Sequence, residues 1–179
     1  LLISATPDPV FTPEGITWRK VKAVKSQKRT LYPVFCKNQG VKVITQIETN
    51  PDCVHLVYHN NKKESKNKAE VLREIGVQAY CISSDSKDEK HPTNWIWKSI
   101  VSEGKIPAYV DVLFGTNIMC EGYDLTSPDR EVCFHIWWEY CHLTAAQFAG
   151  RVRDREEVAG YWYHSMSRSH ELEFSDRFS

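Results

Sequence analysis

The stretch VHLVYHNNKKESKNKAEVLREIGVQAYCI, residues 54–82, decides the fold. Val54 to Tyr58 is a short, almost wholly apolar run with the character of a buried strand. Asn60 or Asn61 can cap a helix running to Ile75, with Ala69, Leu72 and Ile75 on its inner face and Gly76 ending it. Gln78 to Ile82 then reads as a second strand. A strand, a helix and a strand in immediate succession pair in parallel through a right-handed crossover.

The alternation continues towards the C-terminus. Ser83 to Pro92 is a polar loop. Asn94 to Glu103 is a helix carrying Trp95, Ile96, Ile100 and Val101, ended at Gly104. Val110 to Phe114 and Glu131 to Trp137 are further strands, a helix follows from Thr144, and Gly160 to His164 is a last strand. Short apolar strands of this kind fit a sheet covered on both faces. The expected fold is therefore a doubly wound α/β layer with a mainly parallel sheet. Ligands in such sheets bind beyond the carboxyl ends of the strands, here in the loops after Tyr58, Phe114 and Trp137.

Residues 1–50 read differently. Residues 17–25 roughly alternate, with Trp18, Val21, Ala23 and Val24 among basic residues. Leu31 to Phe35 and Val41 to Ile44 look like short strands around a turn at Lys37 to Gly40. This part is expected to be a β-rich basic arm or linker, set apart from an α/β domain at 51–179. Arg19 to Lys42 holds eight basic residues and no acidic one. That stretch either tracks phosphates or keeps an edge strand soluble.

Composition sets the outer bounds. The 179 residues suit one domain with a sizeable core. With 23 basic and 23 acidic residues the net charge is zero, which argues against a dedicated, strongly basic DNA-binding module. No apolar run approaches the roughly 20 residues needed to span a bilayer. There is no apolar signal region, so the expected location is the cytoplasm, or the nucleoid at a replication site, with no membrane partner. The apolar start without Met suggests a chain that begins inside a longer protein. None of the six cysteines forms a CxxC pair, so no metal ligand is expected and the thiols read as buried and reduced.

Two segments carry chemistry. FGTNIMCEGYDL, residues 114–125, follows a strand as a ligand loop should. Thr116 offers a hydroxyl near the strand end, Gly122 permits close backbone approach, and Asp124 either accepts from a ribose hydroxyl or caps a helix. TAAQFAGRVR, residues 144–153, places Gln147 and Arg151 four apart on one helix face. A guanidinium binds phosphate oxygens bidentately and stays charged, which suits it to a phosphoryl-transfer transition state. Arg151, Arg153 and Arg155 beside Asp154, Glu156 and Glu157 would otherwise be a solvated ion-pair helix.

The order of these segments resembles the superfamily 2 helicases. Ile3-Ser4-Ala5-Thr6 is similar to their motif III. Val54 to Tyr58 with the lysine-rich helix is similar to motif IV, Val112 to Leu125 to motif V, and Gln147-Phe-Ala-Gly150-Arg151-Val-Arg153 to motif VI. The resemblance covers most of residues 52–165 and implies the RecA-like fold of the second motor domain. It also implies roles for single residues. Arg151 would reach the γ-phosphate as the catalytic arginine, with Arg153 beside it. Gly122, Asp124, Gln147 and Gly150 would lie at ATP. Thr116, Asn60 and Lys62 would touch nucleic acid, and Ser4, Ala5 and Thr6 would couple hydrolysis to strand movement.

Motif VI departs from the common pattern. The second arginine usually stands three residues after the first; here that position is Asp154. The GRVR form is similar to that of viral origin-binding-type helicases and leaves open whether Arg153, Arg155 or neither acts as a second finger.

No GxxxxGK(S/T) loop and no DExx strand end occurs in the sequence. The resemblance therefore implies that ATP and Mg²⁺ are held mainly by an upstream RecA-like domain of the same protein. DNA or RNA would be contacted through its backbone, and this fragment would be inactive alone. The alternative is a degenerate RecA-like domain serving as a non-catalytic protein or nucleic-acid platform. An unrelated nucleotide-binding enzyme is disfavoured, because no glycine-rich phosphate loop follows the first strand.

Overall fold

A computed structural model describes residues 28–121, 124–127, 129–137, 141–153 and 156–165. Ser4, Ala5, Thr6, Trp18, Gly122, Trp138, Asp154 and Arg155 lie outside the described residues. The chain alternates strand and helix almost throughout. The strands are β1 (Lys28–Cys36), β2 (Val54–His59), β3 (Ala79–Ile82), β4 (Val112–Gly115), β5 (Val132–Trp137) and β6 (Glu157–Ser165). The helices are α1 (Gln39–Thr49), α2 (Lys62–Glu74), α3 (Asn94–Glu103) and α4 (His142–Ala149). All six strands form one sheet in the order β1-β6-β5-β2-β4-β3, and every pairing is parallel.

The strands β2, β4 and β5 are buried along their whole length, which is why they read as continuous apolar runs rather than alternating ones. Successive residues serve opposite faces. Leu56, Tyr58, Leu113, Phe134 and Ile136 pack with Ile96 and Ile100 of α3 and with Ala145 and Phe148 of α4. Val57, Val112, Phe114, Trp137 and Tyr163 pack with Val43 of α1 and with Ala69 and Leu72 of α2. The expected doubly wound layer with helices on both faces is what the structure shows.

The α2 boundaries follow from local chemistry. Asn61 is the cap, its Oδ1 accepting from the Glu64 amide at 3.1 Å. At the other end Gly76 takes φ +90°. Its amide donates to Arg73 O and the Val77 amide to Leu72 O, both at 3.0 Å. That pair of bonds satisfies carbonyls the helix would leave open.

One expectation is corrected. Val41 to Ile44 is not a strand but part of α1, which the Asn38 side chain caps by accepting from the Val41 amide. The run Val-Lys-Val-Ile alternates locally. The helical spacing of Val43, Ile44 and Ile47, which pack on the sheet, overrides that alternation. The preceding strand, expected at Leu31 to Phe35, extends over Lys28–Cys36 and pairs with β6 along nine residues as an edge of the main sheet.

At the amino ends of the strands, Arg130 ties several loops together. Its guanidinium donates to the carbonyls of Asp52, Cys53, Ala108 and Val110 at 2.9–3.3 Å and pairs with Asp111 at 3.0 Å. A planar, five-donor group suits such a junction of carbonyls. No disulfide joins the six cysteines. No helix among the described residues is long and apolar enough to cross a membrane.

Candidate nucleotide and nucleic-acid site

The loops at the carboxyl ends of β2 and β4 and the segment closing α4 bring the two chemistry-bearing stretches together. Beyond β4, Thr116 is half-buried and opens a 3₁₀ turn over Asn117–Cys120, its carbonyl accepting from Met119 N at 2.9 Å. Asn117 Oδ1 accepts from the Tyr58 hydroxyl, which fixes this turn to the end of β2. Tyr58 and Phe134 in turn hold Phe148 of α4 through ring contacts at 5.6 and 6.1 Å.

Three further links join this loop to the end of α4. Arg151 Nη2 donates to Cys120 O at 2.7 Å, the Leu125 amide donates to Arg151 O at 2.8 Å, and Arg153 Nε lies 3.1 Å from Asp124 Oδ1. Arg151 and Arg153 thus sit against the loop that holds Asp124. The Arg151 Nε is buried and has no hydrogen-bond partner among the described residues. A buried guanidinium N–H without an acceptor is costly.

The other sequence-predicted residues are placed less tightly. Gln147 is exposed on α4, and Gly150 ends that helix, its amide donating to Ala146 O at 2.9 Å, so Arg151 lies past the helix and does not share a helix face with Gln147 as the spacing suggested. Asn60 is exposed in the loop after β2. Lys62, at the first turn of α2, is engaged with Asp85 as an exposed ion pair. Among the tryptophans, Trp95 stacks on Tyr109 at 5.0 Å and Trp137 is buried between the sheet and α2, so these two serve packing.

Two groups of residues escaped the sequence reading. Arg29, in the basic stretch read as a phosphate track or a soluble edge, points back into the fold. It donates to Ala149 O at 3.1 Å, to Glu156 O at 3.3 Å and to Val152 O. From β1 it therefore braces the backbone on either side of Arg151 and Arg153. No local signal marks it, because its acceptors are backbone carbonyls about 120 residues away. The second group is His55, Cys133 and His135, all buried and adjacent on β2 and β5. The Cys-x-His spacing on one strand, which puts both side chains on one face, was the available signal.

Burial pushes Cys81 up to about 11 and Cys133 up to about 12, so both stay protonated near neutral pH.

The fold is that of RecA-like helicase domains. The chain is similar to Saccharomyces cerevisiae Dbp5 bound to RNA and ADP BeF3, with a TM-score of 0.57 and 14% identity over 85% of this chain and 39% of that one. It is similar to the Mycobacterium smegmatis helicase Lhr bound to ssDNA and AMP-PNP, with a TM-score of 0.55 and 12% identity over 80% of this chain and 20% of that one. It is also similar to a DEAD box protein from the hyperthermophile Methanococcus jannaschii, with a TM-score of 0.53 and 15% identity over 86% of this chain and 39% of that one. The chain thus spans about two fifths of the length of these proteins or less. No protein-family model and no curated protein matches the sequence.

Proposed function

We propose that this chain is the second RecA-like domain of an ATP-dependent superfamily 2 nucleic-acid helicase or translocase, with Arg151 as its catalytic arginine. The placement of Arg151 against the Asp124 loop, with its Nη2 donating to Cys120 O, supports this reading most directly. The joined loops support it too, since Arg151 bonds to Cys120 in the turn that Thr116 opens and Arg153 pairs with Asp124. The related proteins named above are described with RNA or ssDNA and with adenine nucleotides or their analogues, which accords with it.

ATP with Mg²⁺ supplies the phosphoryl group when bound, and the sequence has no P-loop lysine or DExx carboxylate to hold it. Those ligands come from an upstream domain of the same protein. Across the interface Arg151 meets the charge that develops on the γ-phosphate, with Gln147 and Gly150 placing it and Gly122 and Asp124 near the nucleoside. Thr116, Asn60 and Lys62 grip the nucleic-acid backbone, and Ser4, Ala5 and Thr6 couple the two events. Binding through phosphates is insensitive to sequence and weakens as salt rises. The protein works in the cytoplasm or at the nucleoid.

The test is nucleic-acid-stimulated ATP hydrolysis by the whole protein. Arg151→Ala is expected to lower turnover by about 10³-fold or more, the scale of an arginine finger, while leaving the circular dichroism spectrum in place. Unchanged turnover overturns the assignment and favours a non-catalytic platform. The isolated chain is expected to show no ATPase activity.

A further inference from the structure

We propose that His55, Cys133 and His135 form a buried site for a thiophilic d-block cation of the Zn²⁺ type, independent of the nucleotide site. The ligand atoms of the three residues all lie within 4.8 Å of one another. His55 stands directly opposite Cys133 in the β2–β5 pairing, and His135 follows two residues on along the same face. Two imidazole nitrogens and one thiolate are the donor set that Zn²⁺, Co²⁺ and Cu⁺ prefer.

The outer partners orient both rings. His55 Nε2 lies 3.1 Å from Asn50 O, and a carbonyl only accepts, so the proton of His55 sits on Nε2 and its Nδ1 is bare. That bare Nδ1 faces His135 Nε2 at 3.0 Å. The other nitrogen of His135, Nδ1, lies 3.0 Å from the Tyr163 hydroxyl. A hydroxyl donates or accepts equally well. When Tyr163 donates, His135 carries its proton on Nε2 and hands it to His55. When Tyr163 accepts, the His135 proton moves to Nδ1 and two lone pairs face each other across the gap.

The second arrangement is that of a metal site. Each ligating imidazole donates its outer N–H to a fixed acceptor, the usual second-shell pattern. Two nitrogens bound tetrahedrally to zinc at about 2.0–2.1 Å stand about 3.3 Å apart, so the pair needs to open by only about 0.3 Å. Binding releases the thiol proton of Cys133. The cation would pin β2 to β5 and, through Asn50, to the turn after α1.

The full chain refolded with Co²⁺ tests this. A thiolate-to-cobalt charge-transfer band in the near ultraviolet is expected, bleached by one equivalent of Zn²⁺. Cys133→Ser is expected to lose the band and Cys141→Ser, at an exposed cysteine, to keep it. Tyr163→Phe is expected to weaken Co²⁺ binding by about 10–100-fold, the usual cost of losing an outer partner. Should Cys133→Ser fail to fold, His55→Cys adds a second thiolate and is expected to intensify the band. A wild-type chain without the band, or a band that His55→Cys leaves unchanged or that survives in folded Cys133→Ser, overturns the site.

Discussion

Asp124 and Arg153 form an ion pair at 3.1 Å between the loop after β4 and the segment after α4, with side chains 41% and 54% exposed. Pairs this exposed contribute between about 0 and 1 kcal/mol, because water screens the charges and two long side chains lose freedom. The pair therefore contributes little to the fold. Arg153→Ala and Asp124→Ala are each expected to change the unfolding free energy by less than about 1 kcal/mol, with a similarly small coupling in a double-mutant cycle. Urea titrations measure all three quantities; a coupling above about 2 kcal/mol would assign the pair to stability instead.

Arg29 is expected to behave in the opposite way. It is half-buried and donates to three carbonyls around the arginine segment. Removing a charged donor leaves acceptors unpaired, so Arg29→Ala is expected to cost about 2–3 kcal/mol. Arg29→Lys retains a charge but not the planar fork and should recover only part of that. The denaturant midpoint reads the first effect. Faster amide exchange at Arg151 and Val152 would report the loosened segment.

Gly160 tolerates no side chain. A Cβ there would stand 2.7 Å from Phe134 O and run into the Phe134 ring, and the carbonyl belongs to the neighbouring strand and cannot swing away. Gly160→Ala is expected to destabilise the fold by about 3 kcal/mol or to prevent folding, as overpacking of a rigid site does. Thermal unfolding of the purified variant decides it; a wild-type melting temperature would mean that β5 and β6 separate more easily than their pairing implies.

His59 makes stability depend on pH. It is buried at the end of β2, and desolvation holds its pKa below the ordinary 6.5. Glu64 opposes that shift and Lys68 reinforces it. The unfolded chain binds this proton more readily than the folded one, so the contribution is full above about 6.5 and is lost as the pH falls towards the folded value. The urea midpoint is expected to drop between pH 7 and pH 5, by at most about 1.4 kcal/mol per pH unit for this group. His59→Gln is expected to reduce that dependence, to which the buried His55 and His135 also contribute; an identical slope in the variant would remove His59 as a source.

Much of this was legible in the sequence because it is local. The apolar runs of β2, β4 and β5, the Asn61 cap and the glycine after α2 are decided within a few residues, and the fold follows from their alternation. The candidate arginines and the Asp124 loop were named from local patterns, although Arg151 and Arg153 lie past the end of α4 rather than along it. What was missed is non-local. Val41 to Ile44 alternates like a strand, and only the sheet beneath it selects a helix. The partners of Arg29 and the meeting of His55 with His135 depend on strand order, which no window of sequence contains.

The edge position of β1 bears on how the protein can be dissected. A piece starting at residue 51 would keep every residue of the candidate nucleotide site that the structure describes, yet it would lack the strand that covers β6. Its new edge would be a long row of unpaired amides and carbonyls, and the carbonyls of Ala149, Val152 and Glu156 would lose their donor. Exposed edges of that length recruit other chains. Such a piece should precipitate or form strand-paired oligomers, whereas one that begins ahead of Lys28 should stay monodisperse.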